Sequence, residues 1–127
     1  MNRTLRNLLV SACALFALGL AMSASAGDAA AGKAKYDMFC ASCHGTEGKG
    51  DGPVAVAINP PPRDFSEGAF KFDTDEDGSA GTDADLRNVI ANGAAKYGGN
   101  QMMAPWGGTM SAADLDNVVA FIHSLKQ

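Results

Sequence analysis

Apolar residues recur at helical spacing most clearly near the end of the chain, where Leu115, Val118, Val119, Ile122 and Leu125 form one stripe. Ser111, with Asp114 three positions on, supplies an N-terminal cap for that helix. Leu86, Val89 and Ile90 repeat the arrangement on a shorter scale, with Thr82 and Asp85 as the cap and Gly93 as the stop. Nearer the start, Gly32, Tyr36 and Cys40 fall four residues apart on one face of a helix expected from about Ala29 to Cys40, capped by Asp28. No segment alternates with period two, and no internal repeat appears. The pattern predicts an all-α domain with three main helices.

The connections are long and dense in glycine and proline. "GTEGKGDGPVAVAINPPPRDF" holds one short apolar run, Val54 to Ile58, and reads as loop with at most a turn of helix. A second glycine-rich loop, "GGNQMMAPWGG", leads into the last helix. Loops this long in a compact domain are usually functional, so something other than side chains is expected to fill the space between them.

Arg3 and Arg6 precede an apolar stretch from Leu8 to Leu20, and Ala24-Ser25-Ala26 follows it. Residues 1–26 are therefore expected to be a secretory signal peptide, with the domain proper spanning 27–127. The stretch is shorter than the roughly 20 apolar residues of a membrane span, which disfavours an uncleaved anchor. Val10-Ser11-Ala12-Cys13 loosely resembles a lipoprotein processing site, but the apolar stretch is short before Cys13 and long after it, the reverse of a lipoprotein signal. A periplasmic location is expected, with no membrane insertion after cleavage.

Removal of the leader takes two of the ten basic residues and none of the 14 acidic ones, so the remainder is more acidic than the full chain's net −4. No basic stripe exists to neutralise phosphates, which disfavours nucleic acid as a partner. A small domain buries a modest fraction of its surface and often depends on a staple or a cofactor.

Of the three cysteines, Cys13 lies in the leader, which leaves Cys40 and Cys43 in "FCASCHG" beside His44. A closed zinc site needs four ligands, and His123 is the one other Cys or His after the leader. A Cys-x-x-Cys redox pair normally opens a helix after a strand, whereas this pair closes a helix with no strand pattern before it. Cys-x-x-Cys-His is also the pattern of c-type haem attachment: two thiols bond one edge of the macrocycle and the adjacent histidine ligates the iron. The residues favour the haem reading. Whether the sixth iron position is filled by methionine or left open decides between electron transfer and small-molecule chemistry. Met102, Met103 and Met110 all follow the middle helix, and the first two sit in a loop with no apolar helical face to fill.

Gly32-x3-Tyr36-x3-Cys40-x2-Cys43-His44 resembles the N-terminal helix and haem site of a class I, monohaem c-type cytochrome of the short bacterial periplasmic kind, and the resemblance covers nearly all of the chain after the leader. It implies a small orthogonal helical bundle around one covalent haem c, with the glycine and aromatic of the first helix packed on Val118 and Phe121. "MAPWGG" is similar to the M-x-P-W-G-G element of many bacterial members, which implies Met103 as distal iron ligand opposite His44, with Met102 as the alternative. The family's loop proline, whose carbonyl holds the proximal histidine, fits Pro53 best and Pro60 as an alternative. Arg63 is expected either to meet a haem propionate or to pair at the surface with Asp64 or Glu67. Trp106 is expected beside the ligand loop, against a propionate or the haem edge.

"DTDEDG" places Asp73, Asp75 and Asp77 as in the first half of an EF-hand loop, but the position of the bidentate glutamate is Ala84. A solvated acidic loop is expected there, and a solvent-edge place for His123. The resemblance implies an electron carrier rather than an enzyme, monomeric, docking briefly on redox partners with basic surfaces. A haem enzyme or gas sensor with a labile sixth ligand, or a haem subunit of a larger oxidoreductase complex, are the alternatives.

Overall fold

In a computed structural model, the structure describes residues 26–127. The expected leader, Cys13 included, lies outside the described residues except for Ala26. The elements in order are α1 (Ala29–Phe39), a one-turn α2 (Ala41–His44), a 3-10 turn (Ala55–Ala57), α3 (Asp83–Asn92), a second 3-10 turn (Ala94–Tyr97) and α4 (Ala112–Ser124). Among the described residues there is no strand, and no helix is long and apolar enough to cross a membrane.

Each main helix begins where its cap predicts. The Asp28 carboxylate accepts from the Ala30 and Ala31 amides. Thr82 with Asp85 and Ser111 with Asp114 both close reciprocal capping boxes. Asp85 does more than cap: its other oxygen accepts from the amide and hydroxyl of Thr74, tying the acidic loop to the start of α3. Four donors converge on this buried carboxylate, with Thr74 the largest influence, and they hold its pKa well below the usual carboxylate range.

The core is the seam between α1 and α4, with α3 laid against α4. Tyr36 and Val118 are fully buried, and the Tyr36 ring meets Phe121 edge-on with centroids 4.9 Å apart. Gly32 lets the backbones meet: a Cβ there would lie 1.8 Å from the carbonyl oxygen of Asn117. The family-implied packing of Gly32 and Tyr36 on Val118 and Phe121 is thus present. Leu125 lies past the end of α4 as its C-cap, half-buried at the margin of the stripe. The Val54–Ile58 run, expected to hold at most a turn of helix, forms a single 3-10 turn over Ala55–Ala57 that leaves Val56 outward at 94% exposure and buries Ile58.

Candidate functional site

The Cys-x-x-Cys-His segment is a helical turn whose carbonyls are capped from outside. α1 ends at Phe39, Cys40 bends the chain, and Gly45 stops α2 at φ +81°, a region that favours glycine. The following loop returns along α2 and donates in sequence: Gly50 N–H to His44 O (2.8 Å), Gly52 N–H to Cys43 O (3.1 Å) and Val54 N–H to Ser42 O (3.0 Å). These bonds satisfy carbonyls that a helix end otherwise leaves orphaned. Gly52 is required by the approach, because a Cβ there would lie 2.4 Å from Ser42 O. The Tyr36 hydroxyl donates to Gly45 O at 2.7 Å, fixing the end of the turn to the core.

His44 is held from two sides. Its ring stacks on Phe65, centroids 4.4 Å apart and planes 17° from parallel. Its Nδ1 lies 3.0 Å from the Arg63 carbonyl. A carbonyl only accepts, so Nδ1 carries the proton and Nε2 keeps its lone pair. Burial pushes the imidazole pKa below its ordinary value, with the Arg63 carbonyl opposing, and so favours the neutral ring that a metal needs.

This corrects the expectation for Pro53 and its alternative Pro60. Pro53 is exposed, within the segment whose amides cap α2, and it does not border the cavity. Pro60 borders the cavity, but its carbonyl accepts from the Asn100 side chain. The chain comes back under the imidazole three residues after Pro60, where Phe65 N–H donates to Gly48 O and sets Arg63 in place.

A cavity of about 610 Å3 opens beside the turn. Cys40, Cys43 and His44 border it, together with the 60–63 segment, Leu86, Val89 and Ile90 of α3, Met102, Met103 and Trp106. The size and the mostly apolar wall suit a cofactor. Neither cysteine is in a disulfide. Burial, then the neighbouring Cys43, pushes the Cys40 thiol up to about 11, the reverse of an activated redox cysteine.

Among the described residues Arg63 makes no ion pair, and its Nε is buried without a hydrogen-bond partner. Asp64, one of its expected surface partners, accepts instead from the amide and hydroxyl of Ser66. An orphaned guanidinium nitrogen beside an apolar cavity fits a bound group that carries an anionic edge. Trp106 stands at the wall against Phe39, ring centroids 5.2 Å apart.

The three methionines separate by place. Met110 is 4% exposed in the core and does not border the cavity. Met103 is half-buried at the wall, its amide on Asn100 O and its carbonyl accepting from Ala94 N–H. Met102 also borders the cavity but is 57% exposed.

A family model for cytochrome c matches residues 29–126. The chain belongs to the cytochrome c family. It is 36% identical over 103 residues to cytochrome c-554(547) of Halothiobacillus neapolitanus, covering 80% of this chain and all of that protein. It is also similar to a chain of the reducing HAO-like protein complex of Kuenenia stuttgartiensis, with 34% identity and a TM-score of 0.66 over 80% of this chain. The match spans 44% of that chain's length. Membership of the cytochrome c family implies covalently bound haem c, and the cavity, the neutral histidine and the orphaned Arg63 nitrogen fit that group.

The residues expected outside this cytochrome c site lie outside it. His123 pairs with Asp83 at 2.8 Å and meets the edge of Phe70, joining α4 to the start of α3. In the acidic loop, the Asp73 carboxylate accepts from the Asp77 and Gly78 amides, and Asp77 accepts from Ser79. Asp73 and Asp75 bring carboxylate oxygens within 4.8 Å of Asp85, a residue outside the EF-hand-like stretch of the sequence.

Proposed function

We propose that this chain is a periplasmic one-electron carrier in which Cys40 and Cys43 bind haem c through thioethers, while His44 and Met103 are the axial iron ligands. The observation that carries the reading is one cavity wall that holds both thiols, a histidine with a free Nε2 and a half-buried methionine. The bound group supplies a reversible one-electron couple at an iron whose coordination is filled. The chain's residues do the remainder. The Arg63 carbonyl fixes the imidazole tautomer and raises its basicity. The Arg63 side chain offers its unpaired nitrogen to a propionate. Trp106 and Phe39 cover the wall and keep water away, which is one lever on reduction potential.

The acidic surface would steer the carrier toward a basic face on its partner, with a rate that falls as salt rises. The test of the ligand set is a pair of variants. Met103→Ala should abolish the methionine-to-iron charge-transfer band and lower the potential, whereas Met102→Ala should leave the band intact. The reverse result moves the ligand to Met102. Rapid, complete carbon monoxide binding by the ferrous wild-type protein would sink the filled-coordination reading.

The similarity to a chain of the Kuenenia stuttgartiensis complex supports a second reading, a haem subunit with a permanent partner. Sizing the native protein in periplasmic extract separates the two. A free carrier elutes at the size of the single chain.

A further inference from the structure

We infer that Asn100 is a positioning residue that clasps the methionine loop to the proline loop across the cavity. The inference rests on the ligand set just proposed. Asn100 is half-buried, and its side chain makes three hydrogen bonds. Nδ2 donates to Asn59 O at 3.2 Å and to Pro60 O at 3.3 Å, and Oδ1 accepts from Met102 N–H at 2.9 Å. The amide orientation follows from its partners, because two carbonyls require the NH2 end and an N–H requires the oxygen. The Asn100 carbonyl in turn accepts from Met103 N–H at 3.1 Å. One residue therefore sets the backbone of both cavity-facing methionines while its amide grips the far loop.

Among the described residues no other hydrogen bond joins segment 59–65 to segment 98–106. Both loops border the cavity. The proline loop continues directly into the Arg63 carbonyl that orients His44. Asn100 thus links the loop that sets the histidine with the loop that carries the methionine. Segments open locally at free energies below that of global unfolding, so one bridging side chain has leverage on how readily the methionine leaves.

The test uses the haem-loaded protein with Asn100→Ala and Asn100→Asp. The aspartate keeps an oxygen for the Met102 amide but, as a carboxylate, has no hydrogen to donate to Asn59 and Pro60. If Asn100 serves as a clasp, both variants should bind imidazole about tenfold more tightly than wild type, the scale of losing two modest hydrogen bonds. Amide hydrogen exchange should also speed up in both variants, at Phe65, whose N–H donates to Gly48 O, as well as at Met102 and Met103. If Asn100→Asp behaves as wild type, Asn100 is a local turn residue and the clasp is overturned. Unchanged exchange at Phe65 in Asn100→Ala overturns it equally. Should the wild type lack a methionine charge-transfer band, the axial assignment fails, and the exchange measurement alone still decides the clasp.

Discussion

Gly32→Ala is the sharpest test of how α1 and α4 hold the site. The added Cβ would lie 1.8 Å from Asn117 O, 2.4 Å from Asn117 C and 2.9 Å from Val118 N, whereas ordinary contact begins at 3.4 Å. All three are backbone atoms and cannot rotate aside, so the two helices must part by about 1.6 Å. That displacement opens the Tyr36–Phe121 contact. Overpacking a well-filled core costs about 1–3 kcal/mol, and a backbone obstacle places this case at or above the upper end. Helix propensity returns about 1 kcal/mol for glycine to alanine. The net loss is about 2 kcal/mol or more, which lowers Tm by about 10 °C in a domain of this size. Far-UV circular dichroism melts of the haem-loaded protein measure it, with Gly108→Ala as control because nothing lies within 4 Å of a Cβ there. A Gly32→Ala Tm within about 2 °C of wild type would refute the reasoning, as would an equal fall in the control.

Tyr36→Phe removes the hydroxyl from Gly45 O, which keeps its bond from Gly48 N–H at 3.1 Å, so guanidinium unfolding should show a loss of about 1 kcal/mol. Asp85 has a folded pKa below its unfolded value, so its contribution is present above the ordinary carboxylate range of about 4 and is lost as pH falls below it. Guanidinium midpoints between pH 6 and the acid limit should therefore fall, and Asp85→Asn should flatten that slope; an unchanged slope would remove Asp85 as its source. Calcium titration after chelator treatment should show no stoichiometric heat, because Asp73, Asp77 and Asp85 already accept from their own loops. A clear binding isotherm would overturn that.

The helix ends were legible because their signals are local. Asp28, Thr82 with Asp85 and Ser111 with Asp114 act within one turn of their own positions, and the structure uses each as a cap. The turn bearing Cys40, Cys43 and His44 was legible for the same reason, since three of the residues that border the cavity lie within five positions of the chain. The histidine's partner was not. The carbonyl that holds His44 lies nineteen residues away, at the end of a loop whose path depends on Gly50, Gly52 and Val54 first capping α2. Every residue except proline offers the same donor and acceptor, so a backbone partner leaves no mark in residue type. Gly52 did leave a trace, as one glycine among many, with nothing to show which of them approaches a carbonyl. The second use of Asp85, on Thr74, was hidden because the cap already accounts for an aspartate there.

Arg63 contributes to the site through two parts that answer to different kinds of change. Its carbonyl holds the imidazole and its side chain reaches the cavity. Any substitution keeps the first and alters the second, so point changes at this position should tune the potential while leaving the histidine in place. Adding or removing one residue between Asn59 and Phe65 does the opposite, moving a different carbonyl under the ring whatever its side chain. For this stretch, length is the inherited quantity and residue identity the adjustable one.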